Sequence, residues 1–267
     1  MKDMLTRRNF LTAFAGASAF ALAACGGSSS DAGDAAATDT TAAAGDGTDA
    51  KGDGVMTYDE YMAAAVDDAV VIEAFVQATQ SWWEDQITIY AADADGAYFI
   101  YNAACTEEDS AKLVPGQKIK VSGYKAEWSG EIEITEGTLE FEDDSTYIAA
   151  PVDVTDKLDS DDLIDYQNQL VSFTGLTVAP STDPDGNEVA YLYNWDGSGA
   201  AGDDLYFNVS DGTDTHSFTV ESYLCGEDTD VYKAVQALEI GQTVDLEGFL
   251  YWYEGANPHI TKVTVAA

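Results

Sequence analysis

The stretch LVPGQKIKVSGYKAEWSG at residues 113 to 130 occurs a second time as LEIGQTVDLEGFLYWYEG at residues 238 to 255. Leu113 answers Leu238, Gly116-Gln117 answers Gly241-Gln242, Gly123 answers Gly248, Tyr124 answers Phe249, Trp128 answers Tyr253 and Gly130 answers Gly255. Ile134-Thr135 then answers Ile260-Thr261, one residue out of step. Copies about 125 residues apart are too distant for a solenoid and fit two versions of one small domain. The repeat therefore predicts a duplicated β-module.

Around each copy the pattern reads as a succession of strands. Thr57 with Glu60 three residues on is a capping box, and Tyr58, Tyr61, Met62 and Ala65 recur at helical spacing. These predict a short helix that stops near Asp67-Asp68 and packs as a lid or plug on the first module. Alternation and β-branched residues predict strands over 70–79, 87–92, 97–102, 118–125 and 131–141. Asp93-Ala94-Asp95-Gly96 is a hairpin turn that places Gly96 at positive φ. Cys105 precedes a short polar helix or turn reaching Lys112. In the second copy the strands fall at 170–178, 205–209, 215–221, 243–250 and 259–265, with a helix capped by Asp228 or Thr229 and with Cys225 where the first copy has Cys105. The second copy also carries an insertion, residues 179–204, between its first two strands.

Strand, strand, strand, helix, strand, strand is the order of the five-stranded Greek-key barrel called the OB-fold. The run L-x-x-G-Q-x-(I/V) entering strand four, with Gly123 or Gly248 where that strand must bend, resembles bacterial OB-fold domains. The expected fold class is mainly β: two tandem five-stranded OB-fold-like Greek-key barrels with short helices, after a disordered tether. Residues 55–150 would hold the N-terminal helix and first barrel, 151–168 a connector with a helix from Ser160 to Asn168, and 169–267 the second barrel. Through WWEDQITIY, DGAYFIYN, GYKAEWSGE, DDLYFNV and EGFLYWYEGANPHIT, residues 57 to 265 resemble a family of lipid-anchored tandem OB-fold proteins of anaerobic bacteria. That resemblance implies fold and location and no particular chemistry.

Residues 1–24 read as an export signal. Arg7 and Arg8 precede an apolar run from Phe10 to Ala24 that is too short to span a bilayer. Thr6 to Leu11 resembles the twin-arginine motif, with a general secretory n-region as the alternative. Leu22-Ala23-Ala24-Cys25 resembles a lipobox, which would make Cys25 the acylated N-terminus; the competing reading is an ordinary signal with an incidental cysteine. Two acyl chains on one cysteine anchor stably where a single chain does not. Small and acidic residues fill 25–54, with Lys51 as the exception, and predict a disordered tether. The expected location is extracytoplasmic, on the cell membrane.

The formal net charge is −38, and loss of Lys2, Asp3, Arg7 and Arg8 with the signal leaves it near −40. Such a field repels phosphate and anionic lipid and gains nothing from counterion release. All five tryptophans fall in or beside two kinds of loop: Trp82, Trp83 and Trp195 between strands one and two, Trp128 and Trp252 between strands four and five. Those loops flank the ligand face of OB-folds, and aromatic rings stack on sugars or bases. Trp82, Trp83, Trp128, Trp195, Tyr251, Trp252 and Tyr253 are therefore the ligand-binding candidates, against the alternative that they cap or glue the barrels. With the charge opposing nucleic acid, the expected ligand is neutral: a glycan, a peptide or an envelope protein met by a binding or scaffold lipoprotein. The rival from another class is an envelope hydrolase using clustered carboxylates with Ca²⁺. Nucleic-acid binding, which the fold class alone suggests, ranks third, and the oligomeric state is left open.

Asp183, Asp185 and Asp196 in the insertion are the candidate Ca²⁺ ligands, since carboxylates at alternate positions suit a hard cation; simple hairpin turns are the competing reading, and no other cofactor is implied. Cys105 and Cys225 are either a disulfide, suited to an exported protein, or two buried thiols. No catalytic residue is assigned: His216 and His259 have no nucleophile motif beside them, and Walker, HExxH, CxxC and GxGxxG patterns are absent from the sequence.

Overall fold

A computed structural model describes residues 51–266. The export signal with Arg7 and Arg8, the lipidation site Cys25 and the tether up to residue 50 lie outside the described residues. In the first module β1 (Ala69–Thr79), β2 (Gln86–Ala92), β3 (Ala97–Ala104), β4 (Gln117–Trp128) and β5 (Glu131–Thr146) close into a barrel in the order β1-β2-β3-β5-β4. The β3–β5 pairing is parallel and the others are antiparallel, which is the closure expected of an OB-fold. Alternation sends Val70, Ile72, Ala74 and Val76 of β1 inward to meet Ile87, Ile89, Ile100, Ile119, Val121 and Ile134.

A connector strand, β6 (Val152–Asp153), leads to the second module. There β7 (Leu170–Ala179) is followed by three short strands in the insertion, β8 (Ser181–Thr182), β9 (Glu188–Val189) and β10 (Leu192–Tyr193). Next come β11 (Leu205–Ser210), β12 (Thr215–Val220), β13 (Thr243–Phe249) and β14 (His259–Val265). Since β7 pairs with both β13 and β11, the ring β7-β11-β12-β14-β13 closes a second five-stranded barrel, with β6 and β10 added at its margins. Phe173, Phe207, Phe218, Val220 and Leu246 fill it.

Three short α-helices complete the described fold: α1 (Tyr58–Ala63), α2 (Glu107–Ser110) and α3 (Asp230–Gln236). The capping box at Thr57 and Glu60 forms as expected, and Thr229 rather than Asp228 caps α3. Helix α1 plugs the first barrel through Tyr61, which is fully buried against Tyr98. It ends at Ala63, a turn earlier than its apolar spacing predicts. Lys125 Nζ donates to the carbonyls of Tyr61 (3.1 Å), Met62 (2.6 Å) and Ala64 (2.9 Å), satisfying the open C-terminal oxygens and stopping the helix there.

The repeat has a physical basis in both barrels. Gly116 and Gly241 each sit at φ of +89°, and their N–H groups donate to Val76 O at 2.8 Å and Val178 O at 2.9 Å. The same left-handed turn thus pins the entry to strand four onto strand one. Gly123 and Gly248 stand where strand five crosses closely: an added Cβ would lie 2.7 Å from Thr135 O and 2.3 Å from His259 O respectively. Register shifts mark a bulge at both places.

Three expectations need revision. The connector helix is a 3-10 turn, Asp161–Tyr166, capped by Ser160. Gly96 does not take positive φ; it is required because the Tyr58 ring lies within 2.4 Å of where its Cβ would stand. Lys51, expected in the tether, is docked on the first barrel by Asp93 Oδ2 at 2.8 Å and Glu73 O at 3.0 Å, so the folded unit begins earlier than residue 55.

Candidate ligand face and the joint between the barrels

OB-folds bind along the outer face of strands two and three and the adjoining loops. In the first barrel that face is not open. Tyr90 of β2 and Phe99 of β3 point outward and are buried with Phe249 and Tyr251 of the second module in one aromatic cluster. Tyr90 stacks on Phe249 with centroids 4.3 Å apart and 12° between planes. The Tyr90 hydroxyl meets His259 Nδ1 at 2.9 Å, and Tyr251 lies edge-on to Phe99 at 5.3 Å and stacked on His259 at 4.5 Å.

Polar bonds frame this cluster. Ser81 N donates to Tyr223 O at 2.7 Å, and Gln80 Nε2 to Glu221 Oε2 at 3.1 Å. Gln167 Nε2 donates to Gly130 O at 2.8 Å, Asn168 Nδ2 to Ile132 O at 3.1 Å and Trp252 N to Glu131 Oε2 at 2.9 Å. Burial of the Glu221 carboxyl, with Asp204 nearby, pushes its pKa up to about 8.

This arrangement separates the seven aromatic candidates. Tyr251 and Trp252 belong to the joint, and the Trp252 indole lies 2.7 Å from where a Gly130 Cβ would stand. Trp82 packs into the first core and donates Nε1–H to Cys105 O at 2.8 Å. Trp128 is half-buried at the end of β4, opposite Glu131. Trp83, Trp195 and Tyr253 remain in water, at 53%, 75% and 45% exposure.

The equivalent face of the second barrel, β11 and β12, is polar and is not covered by the first barrel. Phe207 and Phe218 point inward, so Tyr206, Asn208, Ser217 and Thr219 face outward, with Tyr206 opposite Thr219 and Asn208 opposite Ser217; Ser217 is exposed, Tyr206 and Asn208 are half-buried, and Thr219 is buried. The Asn194 N–H to Asp204 carbonyl bond (2.8 Å) holds Trp195 beside the start of β11. Thr219 Oγ1 donates to Asn257 Oδ1 at 2.8 Å and holds the loop that carries Tyr253 beside β12. Burial, with Asp204 close by, pushes the Tyr206 phenol up to about 12, so its ring is uncharged over the working pH range.

No basic groove accompanies this face among the described residues. Lys51 pairs with Asp93, Lys118 with Glu73 and Glu142, Lys112 with Asp109 and Lys262 with Glu247. Lys125 is spent on helix carbonyls, Lys233 donates to Asp228 O, Lys157 lies over the Tyr166 ring, and Lys120 stands in register with Glu73 and Glu140.

Asp183 Oδ1 accepts from Asp185 N at 3.0 Å and Asn187 N at 2.8 Å, so it braces the β8–β9 hairpin, while Asp196 accepts from Ser198 N in a separate turn. Cys105 and Cys225 are free, buried thiols, and the disulfide alternative does not form. Burial is the main reason that the Cys225 thiol is pushed up to about 11. Among the described residues the His, Cys, Asp or Glu side chains that converge at ligating distance are Asp159, Asp211 and His216, a group no sequence motif announces.

No protein-family model and no curated protein matches the sequence. Several solved structures resemble the chain path. A murine DNA-binding protein bound with double-stranded DNA is 15% identical with a TM-score of 0.38, over 74% of this chain and 96% of that one. The Ifi202 HINa domain in complex with a 20-base-pair DNA is 11% identical with a TM-score of 0.34, over 74% of this chain and 98% of that one. A Replication Protein A heterotrimer bound to single-stranded DNA is 11% identical with a TM-score of 0.33, over 77% of this chain and 51% of that one. The ligand named for each of these neighbours is DNA, the class that the sequence reading set last behind a neutral ligand. The fold is that of a tandem OB-barrel protein, mainly β.

Proposed function

We propose that the chain is a binding module rather than an enzyme, and that it takes single-stranded nucleic acid on the β11–β12 face of the second barrel. The observation that carries this reading is the asymmetry between the barrels: one ligand face is filled by the joint, while the other is free of it and bordered by the half-buried Tyr206 and the exposed Trp195 and Tyr253. Unpaired bases stack on such rings with about 1–3 kcal/mol each, independent of sequence. Duplex DNA presents phosphates instead, and the described residues offer no cationic groove for them.

The acidity sets the conditions. Stacking must outweigh repulsion between phosphate and the surrounding carboxylates, and salt screens that repulsion over about 10 Å at 0.1 M. Affinity should hold or rise with salt, opposite to a protein that binds through counterion release. The test is fluorescence anisotropy of a labelled oligothymidylate with the signal-free chain between 50 and 500 mM NaCl. The expected result is saturable binding with a flat or rising salt profile, weakened about tenfold in Tyr206→Ala or Trp195→Ala. Absence of binding at every salt, or undiminished binding by both variants, would refute it.

For location we propose an extracytoplasmic module held by lipid on Cys25. The support is the run from Arg7 to Cys25 together with the resemblance to lipid-anchored tandem OB-fold proteins. Cys25→Ala should move the protein from the membrane to the soluble fraction; unchanged membrane association would contradict the anchor.

A further inference from the structure

Residues from three separate elements meet in the second barrel, away from the aromatic joint. Asp159 lies in the connector between two 3-10 turns, Thr155–Lys157 and Asp161–Tyr166. Asp211 occupies the β11–β12 hairpin, and His216 is the second residue of β12. His216 Nε2 stands 3.6 Å from Asp159 Oδ1 and 3.6 Å from Asp211 Oδ2. All three donor atoms lie within 4.8 Å of one another. The His216 side chain is only 16% exposed, and its Nε2 is buried with no hydrogen-bond partner among the described residues.

A buried ring nitrogen without a partner is a feature that native structures rarely leave. Asp211 is fixed in a ligating orientation, because its Oδ1 accepts from Thr213 N at 2.7 Å and Asp214 N at 2.9 Å, which turns Oδ2 toward the histidine. Asp159 is half in water, so the site has an entry path. Two carboxylates brought together beside an imidazole repel each other when both are charged, and a cation between them relieves that repulsion.

From this geometry we infer that Asp159, Asp211 and His216 form a binding site for a divalent transition-metal cation of the Zn²⁺ type. Tetrahedral Zn²⁺ with nitrogen and oxygen ligands at about 2.0 Å sets its donors ~3.3 Å apart, close to the 3.6 Å spacing here. The imidazole selects against Ca²⁺ and Mg²⁺, which prefer all-oxygen shells. Three protein ligands leave a fourth position for water. Because Asp159 comes from the connector and the other two ligands from the barrel, the bound cation would also tie the connector down. This site is distinct from the insertion aspartates Asp183, Asp185 and Asp196.

The experiment is isothermal titration of the EDTA-stripped chain with ZnCl₂, alongside His216→Ala, Asp159→Asn and Asp183→Asn. One saturable Zn²⁺ per chain is expected in wild type and in Asp183→Asn, with affinity reduced at least tenfold in Asp159→Asn and His216→Ala. Asp159 is exposed enough for its variant to fold, which keeps the test decisive if His216→Ala does not. X-ray absorption of the loaded protein should show nitrogen and oxygen ligands with one imidazole. Equal Zn²⁺ uptake by wild type and Asp159→Asn, no uptake at all, or displacement of Zn²⁺ by equimolar CaCl₂ would overturn the site.

Discussion

Tyr90 of the first barrel and Phe249 of the second stack face to face, 4.3 Å between centroids, with both rings buried. The pair makes the two barrels one body, because it occupies the surface through which an isolated OB-fold would meet a ligand. Offset aromatic pairs contribute about 0.5–1.5 kcal/mol beyond the area they bury. Phe249→Ala should therefore lower stability by about 3–5 kcal/mol and split a single calorimetric transition into two as the barrels uncouple. A single transition shifted to lower temperature would mean that the polar bonds around the cluster suffice to couple them.

The joint also carries a titrating group. Glu221 accepts from Tyr223 N, Leu224 N and Gln80 Nε2, and its folded pKa of about 8 lies above the unfolded value. A raised carboxyl stabilises the fold fully below the unfolded pKa and progressively less as pH rises through the folded one. Wild type should thus lose stability between about pH 5 and 8 relative to Glu221→Gln, by on the order of 4 kcal/mol. Denaturant melts of both proteins across that range measure the difference; parallel curves would show that Glu221 ionises normally.

Trp82 and Trp195 occupy the same connection in the two barrels and have opposite roles. Trp82→Ala should destabilise by about 3–5 kcal/mol, since the ring sits against the core and its N–H is bonded to Cys105 O. Trp195→Ala should change stability by no more than about 0.5 kcal/mol, because the ring is in water. Equal losses in the two variants would contradict the assignment.

The glycine pair in strand four offers a further check. Gly248→Ala puts a methyl 2.3 Å from a backbone oxygen that cannot move without breaking the β13–β14 ladder. About 3 kcal/mol of destabilisation is expected. Gly226→Ala, whose nearest neighbour is 3.5 Å away, should stay within about 0.5 kcal/mol. Urea midpoints for the two variants decide this.

Much of this architecture was legible locally. Thr57 and Glu60 announce α1, the repeated Gly116-Gln117 and Gly241-Gln242 mark the entry to strand four, and the matching Cys105 and Cys225 mark the same corner in each barrel. What the sequence could not carry is partnership over distance. Tyr90 and Phe99 fall within strands that the sequence marks, but nothing in those strands says that Phe249 and Tyr251 cover the two rings. Tryptophans in corresponding loops looked equivalent, yet one loop continues into the joint and another hangs in solvent. Lys51, in a run of small and acidic residues, gives no sign of its bond to Asp93. Asp159 and His216 sit in different elements, and only barrel closure brings them together. Charge agrees with the absence of a basic groove among the described residues, but it carries no information about stacking, which does not require one.

The most direct measurement is ultraviolet crosslinking of a bromouridine-substituted oligonucleotide to the signal-free chain, with the attachment sites read by mass spectrometry. Crosslinks are expected at Tyr206, Trp195 and Tyr253 on the second barrel, and none at Tyr90 or Phe99. Crosslinks confined to the first barrel, or none under conditions in which a single-strand-binding control reacts, would contradict a ligand face on the second barrel.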